Sequence, residues 1–184
     1  LMNDSTLTPT GLDALMAPRS VAVIGASDDA TRIGGRPLHY LLERGFRGAL
    51  YPVNPRRETV QGVAALANIA DAPGPVDLAV VAVPAAAVLT ALEECAAKGV
   101  GAAVVFSSGF AEMGDEGLRG QQAIAAIARD SGMRIVGPNC LGVYNTALNM
   151  YATFSSSIEL QSPEPGSVGV VSQSGAYGAH IAYL

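Results

Sequence analysis

Charge is scarce in this 184-residue chain, where Asp, Glu, Lys and Arg together make up 15% of the residues, against roughly 25% in an average soluble domain. Basic residues are the scarcer kind, 11 against 16 acidic, for a net charge of −5. Nucleic acid is bound through a basic footprint, so it is excluded as a partner. Cysteine is nearly absent, with only Cys95 and Cys140. Two cysteines without metal-ligand spacing support neither a disulfide scaffold nor a zinc site, and no metal site is expected. Cys95 falls in an alanine-rich helical pattern and reads as a small buried apolar side chain. A reducing cytoplasm is the simplest setting. No apolar run approaches the roughly 20 residues that span a bilayer, so no membrane partner is expected. The amino terminus, Leu1-Met-Asn-Asp-Ser-Thr, has no basic flank leading into an apolar segment and does not read as a signal peptide. Met2 reads as the natural start.

Apolar residues, at 49%, are abundant by contrast, and they are organised as short runs that each end in a polar or glycine-bearing loop. In order these are Val21 to Ser27, Leu50 to Arg56, Leu78 to Pro84, Val104 to Gly109 and Ile135 to Cys140. Nearly continuous β-branched runs with helix-patterned stretches between them predict an α/β fold, a Rossmann-like doubly wound parallel sheet buried on both faces. Helices are expected from Gly11 to Met16, over 34–44, from Ala85 to Lys98 and over 115–131, with Gly45, Gly99 and Gly132 as stops. Residues 58–69 read as a short turn or helix. The domain is expected to occupy residues 8–148. After Asn145 the texture becomes polar and turn-rich, and Ala152 to Ile158 with Gln161 to Gly166 reads as an interdomain linker. Val168 to Val171 then reads as a strand, followed by the loop Ser172-Gln-Ser174-Gly175 and a helix from Ala176. One strand and one helix bury no core of their own. Residues 149–184 are therefore expected to be the linker and the opening of a second α/β domain in a longer protein or a heteromeric enzyme.

In an open parallel sheet, ligands bind beyond the carboxyl ends of the strands, so the loop chemistry bears on the ligand. Gly25-Ala-Ser27 follows the first strand as a phosphate-binding turn should, yet the Gly-x-Gly-x-x-Gly fingerprint is missing because position 27 is Ser. A long loop carrying Arg32, and Arg36 beyond it, intervenes before the helix. Its amides, the Ser27 hydroxyl and a nearby guanidinium suit an anion. An NAD site wants a carboxylate at the end of the second strand. This chain has Asn54-Pro55-Arg56-Arg57, which suits a phosphorylated ribose, as in NADP or coenzyme A. Val83-Pro84 ends the third strand with a sharp turn that leaves no orphan amide and offers an apolar wall. Ser107-Ser108-Gly109 ends the fourth with amides and hydroxyls for a pyrophosphate or a carboxylate. Glu112 reads as an ordinary first-turn carboxylate.

The series Gly-Ala-Ser, Val-Asn-Pro-Arg, Val-Pro, Ser-Ser-Gly-Phe-Ala-Glu, Gly137-Pro-Asn139-Cys140-Leu-Gly142 and Val-Ser-Gln-Ser-Gly, in this order over residues 10–184, resembles the NDP-forming acyl-CoA synthetases. That family includes ADP-forming acetyl-CoA synthetase, the α subunit of succinyl-CoA synthetase and related protein lysine acetyltransferases. The resemblance implies a CoA-binding domain in which Gly25, Ser27 and Arg32 hold phosphates and Asn54, Pro55 and Arg56 lie beside the nucleotide end. It implies that Val83, Pro84, Ser107, Ser108 and Gly109 line the adenosine and pantetheine path. Asn139 and Cys140 would lie near the thiol end, with Cys140 a packing residue rather than a nucleophile. Ser172, Ser174 and Gly175 resemble the loop that cradles a phosphorylated histidine. The relay histidine itself is implied to lie beyond residue 184, leaving His39 structural and His180 too early in the chain. No catalytic residue is then expected here. The implied activity of the whole protein is acid + CoA + ATP ⇌ acyl-CoA + ADP + phosphate, with ATP and magnesium handled by an ATP-grasp domain or β subunit and a small carboxylic acid as co-substrate. An oligomer is expected, and the second domain is implied to be flavodoxin-like. Two alternatives stay open: a CoA- or acyl-CoA-binding regulatory domain of a protein lysine acetyltransferase, and an NADP-dependent Rossmann oxidoreductase.

Overall fold

The computed structural model describes residues 11–160 and 163–182. The expected start at Met2, the domain start at residue 8, Gln161 of the expected linker and the terminal Leu184 lie outside the described residues. In chain order, helix α1 (Leu12–Met16) leads into strand β1 (Ser20–Ile24), helix α2 (Arg36–Glu43) and strand β2 (Ala49–Val53). A short hairpin, β3 (Thr59–Val60) and β4 (Val63–Ala64), precedes β5 (Leu78–Val81), α3 (Ala85–Lys98) and β6 (Ala102–Val105). Then come α4 (Asp115–Ser131), β7 (Arg134–Val136), a second hairpin of β8 (Gly142–Asn145) and β9 (Met150–Thr153), and the short helices α5 (Ser157–Leu160) and α6 (Gly175–Ile181).

Five of these strands form an all-parallel sheet in the order β2-β1-β5-β6-β7, the doubly wound α/β arrangement read from the sequence. Every residue of β1, β5 and β6 is buried, as continuous apolar runs require in a sheet covered on both faces. Side-chain alternation divides each strand between two cores. Ala22, Ile24, Ala79 and Val81 pack with Val88, Leu92 and Cys95 of α3 and Ile124 of α4. Val21, Val23, Val80 and Val104 pack with Leu15 of α1 and Leu38 and Leu41 of α2. Fully burying a side chain of this size contributes about 1.5–3 kcal/mol, so the two-sided sheet dominates stability. Cys95 is fully buried, and desolvation pushes its thiol up to about 12, the behaviour of an inert core residue. Helices α3 and α4 end where expected, at Gly99 and Gly132 in the left-handed region, φ 78° and 76°.

Three stretches depart from the sequence reading. Of the turn or helix read over residues 58–69, the structure forms a turn, Gln61-Gly62 with φ of 50° and 79°, but within the unforeseen β3–β4 hairpin; a single 3-10 turn, Ile69–Asp71, begins at the end of the stretch. Positive φ at both turn residues matches the twist of the flanking strands, and Val60 is buried under the hairpin. The stretch read as linker begins as structure: β9 pairs antiparallel with β8, and Met150 and Ala152 enter the α2-side core. Ile158 of α5 packs against Tyr40 and Tyr151, while Glu159 accepts from the Tyr40 hydroxyl. The amphipathic alternation there is too short to stand out among serines. Val168–Val171, expected as a strand, is exposed and unpaired among the described residues, Val171 entirely so. A strand needs a neighbour for its amides, and none of the described strands lies alongside.

Candidate functional site

The order of the sheet places β1 between β2, which follows it in the chain, and β5, so successive connections leave in opposite directions at β1. A crevice opens at such a point beyond the carboxyl ends of the strands. Here it is a cavity of about 1210 Å³, lined by the ends of β1, β2 and β5 and one face of α3. Gly25, Ser27 and Arg32 reach it from the first loop, Asn54, Pro55 and Arg56 from the second, and Val83 and Pro84 from the third. Arg57, beside Arg56, lines it too, and the sequence reading missed Asp28 and Asp29, as well as Thr90 and Glu94 on α3.

The first loop replaces the missing glycine fingerprint with glycines differently spaced. Gly25 has φ +83°, and a Cβ there would lie 2.6 Å from the Ala82 carbonyl oxygen. A Cβ on Gly34 would lie 2.3 Å from the Gly25 carbonyl oxygen. The backbone therefore folds tightly over the end of the sheet, as a phosphate-binding turn must. The Ser27 amide donates to the Gly34 carbonyl at 3.2 Å, and the Ser27 hydroxyl oxygen accepts from the Asp29 amide at 3.1 Å. Asp29 also accepts from the amide and hydroxyl of Thr31, at 2.9 and 2.6 Å. These bonds, with Arg32 at 3.6 Å, hold its carboxyl below the usual range.

Asn54 lines the cavity and is also bonded within the fold. Its side-chain amide donates to the Ala26 carbonyl at 2.8 Å, and its side-chain oxygen accepts from the Arg56 amide at 2.9 Å. It ties the end of β2 to the first loop and fixes the corner on which Arg56 stands. Arg57 is engaged with Asp28 at 3.1 Å, whereas Arg56 is exposed and has no carboxylate within ion-pair distance among the described residues.

Ser107, Ser108, Gly109, Asn139 and Cys140 lie outside the lining of this cavity. They form an adjoining cluster at the ends of β6 and β7. The Ser107 hydroxyl donates to the Val83 carbonyl, and the Asn139 amide donates to the Ser107 carbonyl at 2.9 Å. The Gly109 amide, expected to be free for a ligand, instead donates to the Glu112 carboxylate at 2.7 Å. That bond, first among its causes, lowers the Glu112 pKa. Cys140 is partly buried, which pushes its thiol up, and its sulfur accepts from the Gly142 amide at 3.3 Å. A protonated thiol is a poor nucleophile. Asn139 holds φ 56°, in the left-handed region that Asn tolerates better than most residues.

The loop Ser172, Ser174 and Gly175 comes next to that cluster. Ser174 caps α6 by accepting from the Tyr177 amide at 3.4 Å, and the Ser172 hydroxyl donates to the Ser174 carbonyl at 2.9 Å. A Cβ on Gly175 would lie 2.8 Å from the Leu141 Cβ, so the loop abuts the residue after Cys140.

Residues 19–146 match the CoA binding domain family. The chain belongs to that family. Its relatives carry the matching domain within longer proteins. The α subunit of ADP-forming acetate–CoA ligase II from Pyrococcus furiosus is 45% identical over 172 residues, covering 94% of this chain and 36% of the relative. The ADP-forming 4-hydroxybutyrate–CoA ligase of Nitrosopumilus maritimus is 37% identical over 167 residues, covering 91% and 24%. Among solved structures, acetyl-coenzyme A synthetase 1 of Candidatus Korarchaeum cryptofilum, in complex with phosphate and ADP, superposes with a TM-score of 0.80. It is 36% identical, with 94% of this chain and 36% of that one covered. The chain thus spans about a quarter to just over a third of the length of these curated relatives.

Coenzyme A suits the residues present. Small-molecule pockets commonly measure about 300–1,000 Å³, and the cavity of about 1210 Å³ is large enough for an extended nucleotide-bearing ligand. The Arg56 guanidinium, exposed at the cavity and uncommitted among the described residues, is available to an anionic group. Among the described residues no helix is long and apolar enough to cross a membrane.

Proposed function

We propose that this CoA-binding domain serves an ADP-forming acid–CoA ligase, whose complete reaction is acid + CoA + ATP ⇌ acyl-CoA + ADP + phosphate. The observation that carries the reading is the cavity at the β1 crossover, flanked by the Gly25–Gly35 loop and by an Arg56 with no acidic partner among the described residues. In this reading the Gly25–Arg32 loop receives the pyrophosphate and Arg56 the 3′-phosphate. Val83 and Pro84 flank the pantetheine arm, which runs on past Ser107, Ser108 and Gly109 toward Asn139 and Cys140. The contact of Gly175 with Leu141 favours this direction, because it brings the Ser172–Gly175 loop to the thiol end, where acyl transfer would occur. ATP, magnesium and a phosphohistidine belong to other parts of the protein, an ATP-grasp domain or β subunit included, and the setting is cytoplasmic and oligomeric. The packing of β9 and α5 against the α2 side supports a CoA-binding unit that runs to about residue 160, where the sequence reading placed its limit at 148.

Calorimetric titration with CoA and NADPH in parallel tests the assignment. CoA should bind the more tightly. Equal or tighter NADPH binding would overturn it in favour of an oxidoreductase.

A further inference from the structure

The β3–β4 hairpin contributes nothing to the cavity lining through its turn, yet it is bonded to the loop that does. Gln61 donates both protons of its side-chain amide across the fold, to the Ser27 carbonyl at 2.8 Å and to the Gly35 carbonyl at 2.9 Å. Its backbone amide donates to Asp28 at 2.7 Å. The acceptors lie 26 to 34 positions away in sequence. They sit at the two ends of the loop and just inside it, so one side chain spans the loop's base.

We propose that Gln61 is a positioning residue for the Ser27–Gly35 loop, holding it in the shape that receives the ligand's phosphates. This inference rests on the CoA reading above. A long loop between β1 and α2 has many conformations, and ordering it opposes binding. The closely spaced glycines of the usual fingerprint fix a short turn by geometry. Here the span from Gly25 to Gly34 is longer; Asp29 and the Ser27 hydroxyl brace its interior, and the Ser27 amide makes one bond across its base, to the Gly34 carbonyl at 3.2 Å. Gln61 adds two further bonds to that base from outside the loop. The residue holds φ 50° to do so, a conformation in which glycine would be easier. The same Asp28 carboxylate that accepts from Gln61 engages Arg57 at 3.1 Å. The clamp thereby also keeps Arg57 turned to Asp28, leaving Arg56 as the cation facing the ligand.

Gln61→Gly separates positioning from folding. It keeps the backbone bond to Asp28 and relieves the positive φ, but removes the bonds to Ser27 and Gly35. The melting temperature should hold or rise. Affinity for CoA and for dephospho-CoA should fall about equally, on the order of tenfold, matching the loss of hydrogen bonds that preorganise the loop. Amide hydrogen exchange over residues 27–35 of the free variant should quicken, with β1 and β5 unchanged. Gln61→Glu, which keeps the length but sets a carboxylate against two carbonyls, should lose affinity at least as much. Unchanged CoA affinity in both variants, in a chain that binds CoA, would overturn the role of Gln61 alone. No CoA binding by the unmodified chain would overturn the CoA reading and this inference with it.

Discussion

Arg56→Ala should weaken CoA binding while leaving dephospho-CoA nearly untouched. Arg56 stands on a corner fixed by Asn54, whose side-chain oxygen accepts the Arg56 amide at 2.9 Å. The neighbouring cations are committed: Arg57 to Asp28 at 3.1 Å and Arg32 to Asp29 at 3.6 Å. A charge-assisted contact contributes about 1.5–3 kcal/mol, equivalent to roughly 10- to 150-fold in affinity. Because Arg56 is exposed, water and salt screen the contact, which sets the expectation at the low end, on the order of tenfold. The loss should grow as ionic strength is lowered. The assay is calorimetric titration of the unmodified chain and the variant with both ligands at two salt concentrations. Arg57→Ala, which also strands Asp28, should show a smaller preference between the two ligands. Equal losses for CoA and dephospho-CoA in Arg56→Ala would refute the argument, because a residue that reads the 3′-phosphate cannot matter to a ligand without one.

Gly25→Ala should lose about 1–3 kcal/mol of stability in denaturant unfolding, together with CoA binding. Its Cβ would meet the Ala82 carbonyl oxygen at 2.6 Å, at φ +83°, and an unchanged midpoint would contradict that geometry. Glu112 should titrate below the ordinary glutamate range by pH-dependent NMR, because the Gly109 amide donates to its charged form. The folded pKa lies below the unfolded one, so this contribution is present above the ordinary range and is lost as pH falls through the lowered pKa. An ordinary midpoint would show that the bond does not persist in solution. Incubation with labelled ATP, magnesium, CoA and short carboxylic acids should leave both His39, which faces Glu43 at 3.7 Å, and His180 unlabelled. Acid-labile label on either residue would place phosphoryl transfer within this chain.

The parallel sheet was legible because β1, β5 and β6 are buried on both faces, and that burial forces uninterrupted apolar runs such as Val21–Ile24 and Leu78–Val81. The stops of α3 and α4 were legible for an equally local reason, a glycine able to take positive φ. The loops of the cavity followed once the strands were found, since strand direction alone decides where a parallel sheet gathers them.

Tertiary structure decided the rest. Nothing local marks Gln61 as a clamp, because its three acceptors become neighbours only when the hairpin folds over the first loop. The Gln61-Gly62 turn between Thr59-Val60 and Val63-Ala64 did carry a hairpin signal, but each arm is too short for strand periodicity to register. β9 reads as linker because its burial depends on α2 and β8, distant in sequence. Of the adjacent arginines, the sequence offered both to a phosphate. The fold assigns Arg57 to Asp28 and leaves Arg56 open, a choice made by three-dimensional proximity and by no property of either residue.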